Sequence, residues 1–289
     1  MLGIELLDAS AIAVNVDGNG RVAGRADASH EDVVTAALTA IGKVGSDGQD
    51  PAAVASFTPD LQAGAMATLA KRLGVRLRTS AIASGAAAAV GEAWVGAARG
   101  ATDVVFFSVA EHSTAGVLRQ GTPMTGAHGR AASAAWLALN PVEREDYRKI
   151  GCVEAEVAAS GIVRRLIWRI KAGDRSRVQE AVKGDLAAVS LDHVLAAART
   201  GDGVAISVIR DTAKYLGMAA ANLVVIADPE VLVLGGIMAS AADLLLELVR
   251  IEVARRLPVP MMQALTIAPA ALGADAPAIG AARLASTPQ

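Results

Sequence analysis

Residues 223–236 read LVVIADPEVLVLGG. The first residues continue the apolar spacing of a helix predicted over 203–226. Asp228-Pro229-Glu230 interrupts the run, and VLVLGG then reads as a short buried strand ending in a diglycine. A long helix that delivers a buried strand is the connection of an α/β chain. The interruption also leaves the run too broken to cross a bilayer.

Working outward, the chain opens as strand, turn, strand: LGIELL, AIAVNV, then RVAGRA after the hairpin signal Asp17-Gly18-Asn19-Gly20. Ser29 is the expected cap of a helix starting near His30, with Asp32 in its first turn. A strand AAVASF, a helix LQAGAMATLAKRLG ending at Gly74, a strand VRLRTS and a helix over 86–98 follow. TDVVFFSV and AGVLRQG then repeat the opening strand pair near residue 103. Helices are expected over 153–171, 175–187 and 191–200, with an amphipathic helix ADLLLELVRIEVARRL and a last strand ALTIAPA. This order fits two α/β lobes, 1–100 and 101–274, with the C-terminal helix 275–289 available to complete the first.

The chain has 289 residues, 53% hydrophobic and 19% charged, enough to bury a large core and too apolar for disorder. A net charge of −2 gives no electrostatic reason for binding nucleic acid or an anionic membrane. Cys152 is the only cysteine, which excludes an internal disulfide and a multi-cysteine zinc site. MLGIELL carries no signal-peptide pattern, so a cytoplasmic location is expected.

Six segments in order resemble the ROK family of repressors and sugar kinases, which includes bacterial glucokinases. They are GEAWVGAARGATDVVFFSV, GAHGRAASAAWLALNP, GCVEAEVAASG, LDHVLAAARTGD, LGMAAANLVVIADPEVLVLGG and ALGADAPAIGAA. The resemblance implies the two-lobed actin-like sugar-kinase (ribonuclease H-like) fold, with a sugar and ATP bound in the cleft.

The departures fall where that chemistry belongs. The family's D-x-G-G-T turn is Glu5-Leu6-Leu7-Asp8-Ala9 here, and leucines do not admit phosphate to the backbone as glycines do. The family's glycine-rich second phosphate loop is Ala110-Glu111-His112-Ser113-Thr114-Ala115-Gly116. Glu111 would oppose a phosphate there; two unit charges at contact repel by about 4 kcal/mol at an effective dielectric of ~20. Ser84 stands at the family's catalytic Asp, between Ala83 and Ala86 in place of asparagines, and a serine hydroxyl is no general base near neutral pH. Ser133 and Trp136 replace the Glu and His of GEIGH. The sugar loop is short between Phe57 and Leu61, and Glu145, Tyr147 and Trp136 replace zinc ligands beside Cys152.

What survives implies sugar contacts at His128, Ser133 and Glu154, and nucleotide contacts at Glu5, Gly116, Gly235 and Gly236. Each has a structural reading too. A histidine often fills a turn, an acid near a helix start is favoured by the dipole, and a diglycine can simply turn the chain. The basic run from Arg164 to Arg177 reads as a solvated helix face, and Trp136 and Trp168 as core. Ser84 and His112 lack a third member for a hydrolase triad. The expected function is a non-catalytic sugar-kinase homologue acting by binding, regulation or scaffolding. The alternative is a weak or altered ATP-dependent hexose kinase in which Glu5 or Asp8 holds magnesium; only then are ATP and magnesium cofactors. A repressor would need a separate DNA-binding partner. A homodimer, and either a protein partner or a small sugar, are the expected associations.

Overall fold

The computed structural model describes residues 1–44, 52–56, 63–73 and 82–286. Strands β1 (Leu2–Leu6), β2 (Ser10–Val16) and β3 (Val22–Ser29) form an antiparallel meander. Helix α1 (Val33–Val44) leads to β4 (Ala52–Ser56), parallel to β1, and α2 (Ala63–Leu73) precedes the short β5 (Ile82–Ala83), parallel to β4. The sheet order is β3-β2-β1-β4-β5. After α3 (Ser84–Val95) the pattern repeats: β6 (Val104–Val109), β7 (Ser113–Arg119) and β8 (Thr122–Pro123) are antiparallel neighbours. Ten α-helices and two strands follow among the described residues: α4 (Glu145–Ile150), α5 (Cys152–Val157), α6 (Ala159–Lys171), α7 (Val178–Ala181), α8 (Leu191–Arg199), α9 (Gly203–Ala227), β9 (Val231–Gly236), α10 (Ile237–Ser240), α11 (Ala242–Ala254), α12 (Val259–Ala264), β10 (Thr266–Pro269) and α13 (Ala276–Ser286). The second sheet runs β10-β9-β6-β7-β8. Each sheet therefore has a three-stranded meander, extended beyond its first strand by two further strands in parallel register. This duplication is the two-lobed actin-like sugar-kinase fold.

The central strands carry near-continuous apolar runs because helices cover both their faces. Glu5 is the one charged residue in β1, and it is buried. Asp228 ends α9 in the left-handed conformation (φ 45°), one that aspartate tolerates better than most residues. Glu230 accepts hydrogen bonds from the backbone N–H groups of Thr102 (2.9 Å) and Asp103 (3.0 Å), seating β9 beside β6. The DPE interruption thus both stops a helix and registers a strand.

Helix α13 packs against α3 and β1 through small residues. A Cβ on Gly280 would lie 1.7 Å from the Ala87 carbonyl oxygen, so only glycine permits the approach. Fully buried Glu92 on α3 accepts from the N–H groups of Ala97 (2.7 Å), Ala271 (3.0 Å) and Leu272 (2.9 Å), tying α3 to the segment before α13.

Several expected boundaries shift. Ser29 ends β3, and Asp32 is the cap, accepting from the N–H of Val34 (3.3 Å) and Thr35 (3.1 Å). The expected helix 86–98 runs from Ser84 to Val95. The expected helix 153–171 is broken at Ala158, whose backbone is extended, while the N–H of Ala159 donates to the Ala110 carbonyl (3.1 Å). Over 175–187 only the short α7 and a 3-10 turn at Leu186–Ala188 form. The strand expected at VRLRTS and the loop between Phe57 and Leu61 lie outside the described residues. Among the described residues, no helix is long and apolar enough to cross a membrane.

Candidate functional site

The turn between β1 and β2, the start of α3, the turn between β6 and β7, and α5 converge where the two sheets face each other. Ser84 is the first residue of α3 and is buried. Its hydroxyl approaches the Glu5 carboxyl, yet its Oγ makes no well-formed hydrogen bond. Burial pushes the Glu5 carboxyl up to about 7; Ser84 pulls against the rise and the Asp275 charge adds to it. Glu5 is therefore not a permanently ionised carboxylate at neutral pH.

The opening of α3 lies directly on β7. A Cβ on Gly116 would fall 2.1 Å from the Gly85 carbonyl oxygen, and one on Gly85 would fall 2.1 Å from that of Ala115. Gly116 is thus required for backbone contact between α3 and β7, whatever else it binds. Gly236 adopts φ +59°, and a Cβ there would meet the Val109 carbonyl oxygen at 1.9 Å; Gly235 packs on Ser108. Both glycines seat β9 against β6.

Three side chains form a hydrogen-bonded series between the sheets. His112, in the β6–β7 turn, meets Glu154 Oε1 of α5 through Nδ1 (2.8 Å) and Asp8 Oδ2 of the β1–β2 turn through Nε2 (3.0 Å). The other Glu154 oxygen accepts from the backbone N–H and the hydroxyl of Ser113, both at 2.5 Å. Partial burial disfavours the imidazolium, but hydrogen bonds and charge from Glu154 and Asp8 outweigh it and hold the His112 pKa above its ordinary value. With both ring nitrogens facing carboxylates, His112 does not serve Ser84 as a base.

The bridge carries a pH dependence. A histidine whose pKa is raised on folding stabilises the folded chain fully below its unfolded value, about 6.5, and this is lost as pH rises through the folded pKa. His112 is 40% exposed, so solvent screening limits the effect to about 1 kcal/mol. The melting temperature of wild type should exceed that of His112→Ala most at about pH 6, and the gap should narrow at alkaline pH. A gap that widens on going alkaline contradicts the bridge.

The other expected contacts are scattered. His128 is exposed, and among the described residues none of the hydrogen bonds of Glu154 goes to it. Ser133 is exposed and donates to the Arg130 carbonyl (2.7 Å). Where zinc ligands were expected to fail, Tyr147 packs with Cys152 in a small apolar cluster, and its hydroxyl donates to Glu156. Arg144 (3.1 Å) and Arg165 (2.5 Å) bind the same Glu156. Trp136 and Trp168 are largely exposed, contrary to their reading as core. Arg144 and Arg164 lie over the Trp168 ring at 5.3 and 5.4 Å, which holds it at the surface. Arg164, Arg165 and Arg169 on α6 are likewise engaged, with the Ala155 carbonyl (2.7 Å), Glu156 (2.5 Å) and Asp174 (2.5 Å) respectively.

Sequence reasoning took Asp8 and His112 one at a time and did not pair them. They are 104 residues apart, and no local pattern signals their contact. Glu92 did carry a signal: it is the only charge within SGAAAAVGEAWV.

Comparison with known proteins gives a consistent picture. A model of the ROK family matches residues 20–287. The chain is 31% identical over 163 residues to a glucokinase of Halalkalibacterium halodurans, covering 55% of this chain and 49% of that protein. It is 32% identical over 223 residues to the bifunctional enzyme NanE/NanK of Brucella melitensis, covering 76% of this chain and 38% of that one. The matched segments thus span about half or less of these curated relatives. Among solved structures, a ROK family glucokinase from Streptomyces griseus in complex with glucose and AMPPNP superposes with a TM-score of 0.83 at 22% identity over 98% of both chains. A ROK family transcriptional regulator, a homolog of the E. coli MLC protein, superposes at 0.81 and 19% identity over 99% of this chain and 78% of its own. With a family model spanning nearly its whole length and the fold shared throughout, the chain belongs to the ROK family.

Proposed function

We propose that this ROK-family protein is a non-catalytic sugar-kinase homologue, acting by binding, regulation or scaffolding rather than phosphoryl transfer. The observation that carries this reading is the Asp8–His112–Glu154 bridge. It ties together the turns that correspond to the family's two phosphate loops, and their polar groups are spent on each other. The residues do not fit a nucleoside triphosphate and its magnesium. Glu111 adds a further carboxylate, and Leu6 and Leu7 occupy positions where phosphate needs close backbone approach. Ser84, buried at the position of the family's base, has no acid–base function near neutral pH.

In this reading 1–100, with α13 returning to it, and 101–274 are the two lobes of a cytoplasmic homodimer. The ligand is a small sugar, in keeping with the glucokinase names among its relatives, or a protein partner. His128, Ser133 and Glu154 remain the sugar candidates, and Gly116, Gly235 and Gly236 are assigned to packing. A second reading, an altered ATP-dependent hexose kinase, is favoured by Glu5. Its pKa of about 7 lies in the range that suits a general base. A phosphotransfer assay with magnesium-ATP and a panel of hexoses separates the two. The first reading expects no product above background, from wild type or from Ser84→Asp. Turnover that Glu5→Gln abolishes would establish the second.

A further inference from the structure

A pocket of about 490 Å³ opens between α6, α9 and the end of α11, and none of the three bridge residues lines it. Its volume lies within the range of small-molecule sites, roughly 300–1,000 Å³. Five cationic side chains line it, Arg144, Arg164, Arg165, Lys214 and Arg256, against two carboxylates, Glu156 and Asp211. The lining therefore carries three net positive charges on a chain whose total is −2. Asp146 and Glu252 stand behind the walls and bind Arg164 (3.0 Å) and Arg256 (2.6 Å), so with these two carboxylates counted one net positive charge remains.

Those ion pairs position the cations without exhausting them. A guanidinium has five N–H donors and an ammonium three. Arg256 donates through Nη1 to the backbone and side-chain oxygens of Glu252 (both 2.6 Å). Lys214, about half exposed, makes one bond, to Asp211 (2.9 Å). Arg165 lies over the Tyr215 ring at 5.5 Å. Together with the two arginines over Trp168, this stacking fixes guanidinium planes before any ligand arrives. Forked, pre-oriented donors from several elements, facing one cavity with excess positive charge, match an oxyanion with several acceptor oxygens.

We propose that this pocket binds a small phosphorylated metabolite through Arg144, Arg164, Lys214 and Arg256. The proposal is independent of the reading of the interlobe cleft.

The test is calorimetric titration of inorganic pyrophosphate into the full chain at fixed ionic strength, with sodium sulfate as the matched control. Saturable binding at one site per chain is expected, with sulfate much weaker. Lys214→Glu, at an exposed position that does not endanger folding, should weaken binding by about tenfold or more, the value of one charge-assisted contact. Arg256→Gln should weaken it similarly, and His112→Ala in the cleft should leave it unchanged. Absence of saturation overturns the proposal, as does sulfate binding as tightly as pyrophosphate. So does binding that ignores Lys214→Glu or that disappears in His112→Ala.

Discussion

Glu92→Ala should destabilise the chain by about 4 kcal/mol, because it strips three backbone N–H groups of their shared acceptor at a fully buried position. Each buried donor left unsatisfied costs about 1–3 kcal/mol, and the lost carboxylate leaves a cavity as well. The carboxylate folds back over Gly96, where a Cβ would sit 2.1 Å from Oε2, so no other side chain at that position can take its place. Glu92→Gln keeps the size and one acceptor oxygen, and should lose about half as much. Urea unfolding of the three proteins, compared at equal m-values, gives the result directly. A loss below about 1 kcal/mol for the alanine variant would mean that solvent reaches these N–H groups.

Gly116→Ala should be comparably damaging, at about 3 kcal/mol, for the opposite reason: an atom added where there is no room. The new Cβ would lie 2.1 Å from the Gly85 oxygen, 2.2 Å from its carbonyl carbon and 2.3 Å from the Ala86 nitrogen. All three are backbone, so no side-chain rotation relieves the clash. The start of α3 must move away from β7. Gly18→Ala, at a turn position with nothing within 4 Å, is the matching control and should change stability by less than about 0.5 kcal/mol. Equal melting temperatures for Gly116→Ala and wild type would contradict the close packing of α3 on β7.

How much of this was legible beforehand follows from the range of each interaction. The opening hairpin was legible because Asp17 accepts from the N–H of Asn19 (2.8 Å) and Arg21 (2.9 Å), contacts within a few residues. The recurrence of the strand pair near residue 103 was legible from alternation and turn residues, and it anticipated the duplicated sheets. The break at Ala158 was not. Neither proline nor glycine occupies that position, and the interruption accompanies a backbone bond from Ala159 to Ala110 in a distant turn. The helix expected over 175–187 shortened to one turn because Arg177 and Ala205 both donate to Asp202, 25 residues from Arg177, and local spacing does not encode that.

The candidate site divides in the same way. Ser84 could be located by counting from Gly91, and it opens α3 beside Glu5. Glu154 was singled out, but its partners were not, since His112 and Ser113 lie 42 and 41 residues away. Glu111 was expected from the sequence to oppose a phosphate. The bridge places His112, its neighbour, between the β1–β2 turn and α5. Residue types are read one position at a time; what the residues do together depends on three-dimensional placement.

The central claim is that the phosphate-binding turns are committed to each other. Isothermal titration of magnesium-ATP into the purified chain tests it most directly. The account predicts that the Lys214→Glu chain shows no saturable heat up to millimolar nucleotide at neutral pH. Saturable binding of one ATP per chain that Lys214→Glu leaves unaffected would show the nucleotide site to be open and contradict the account.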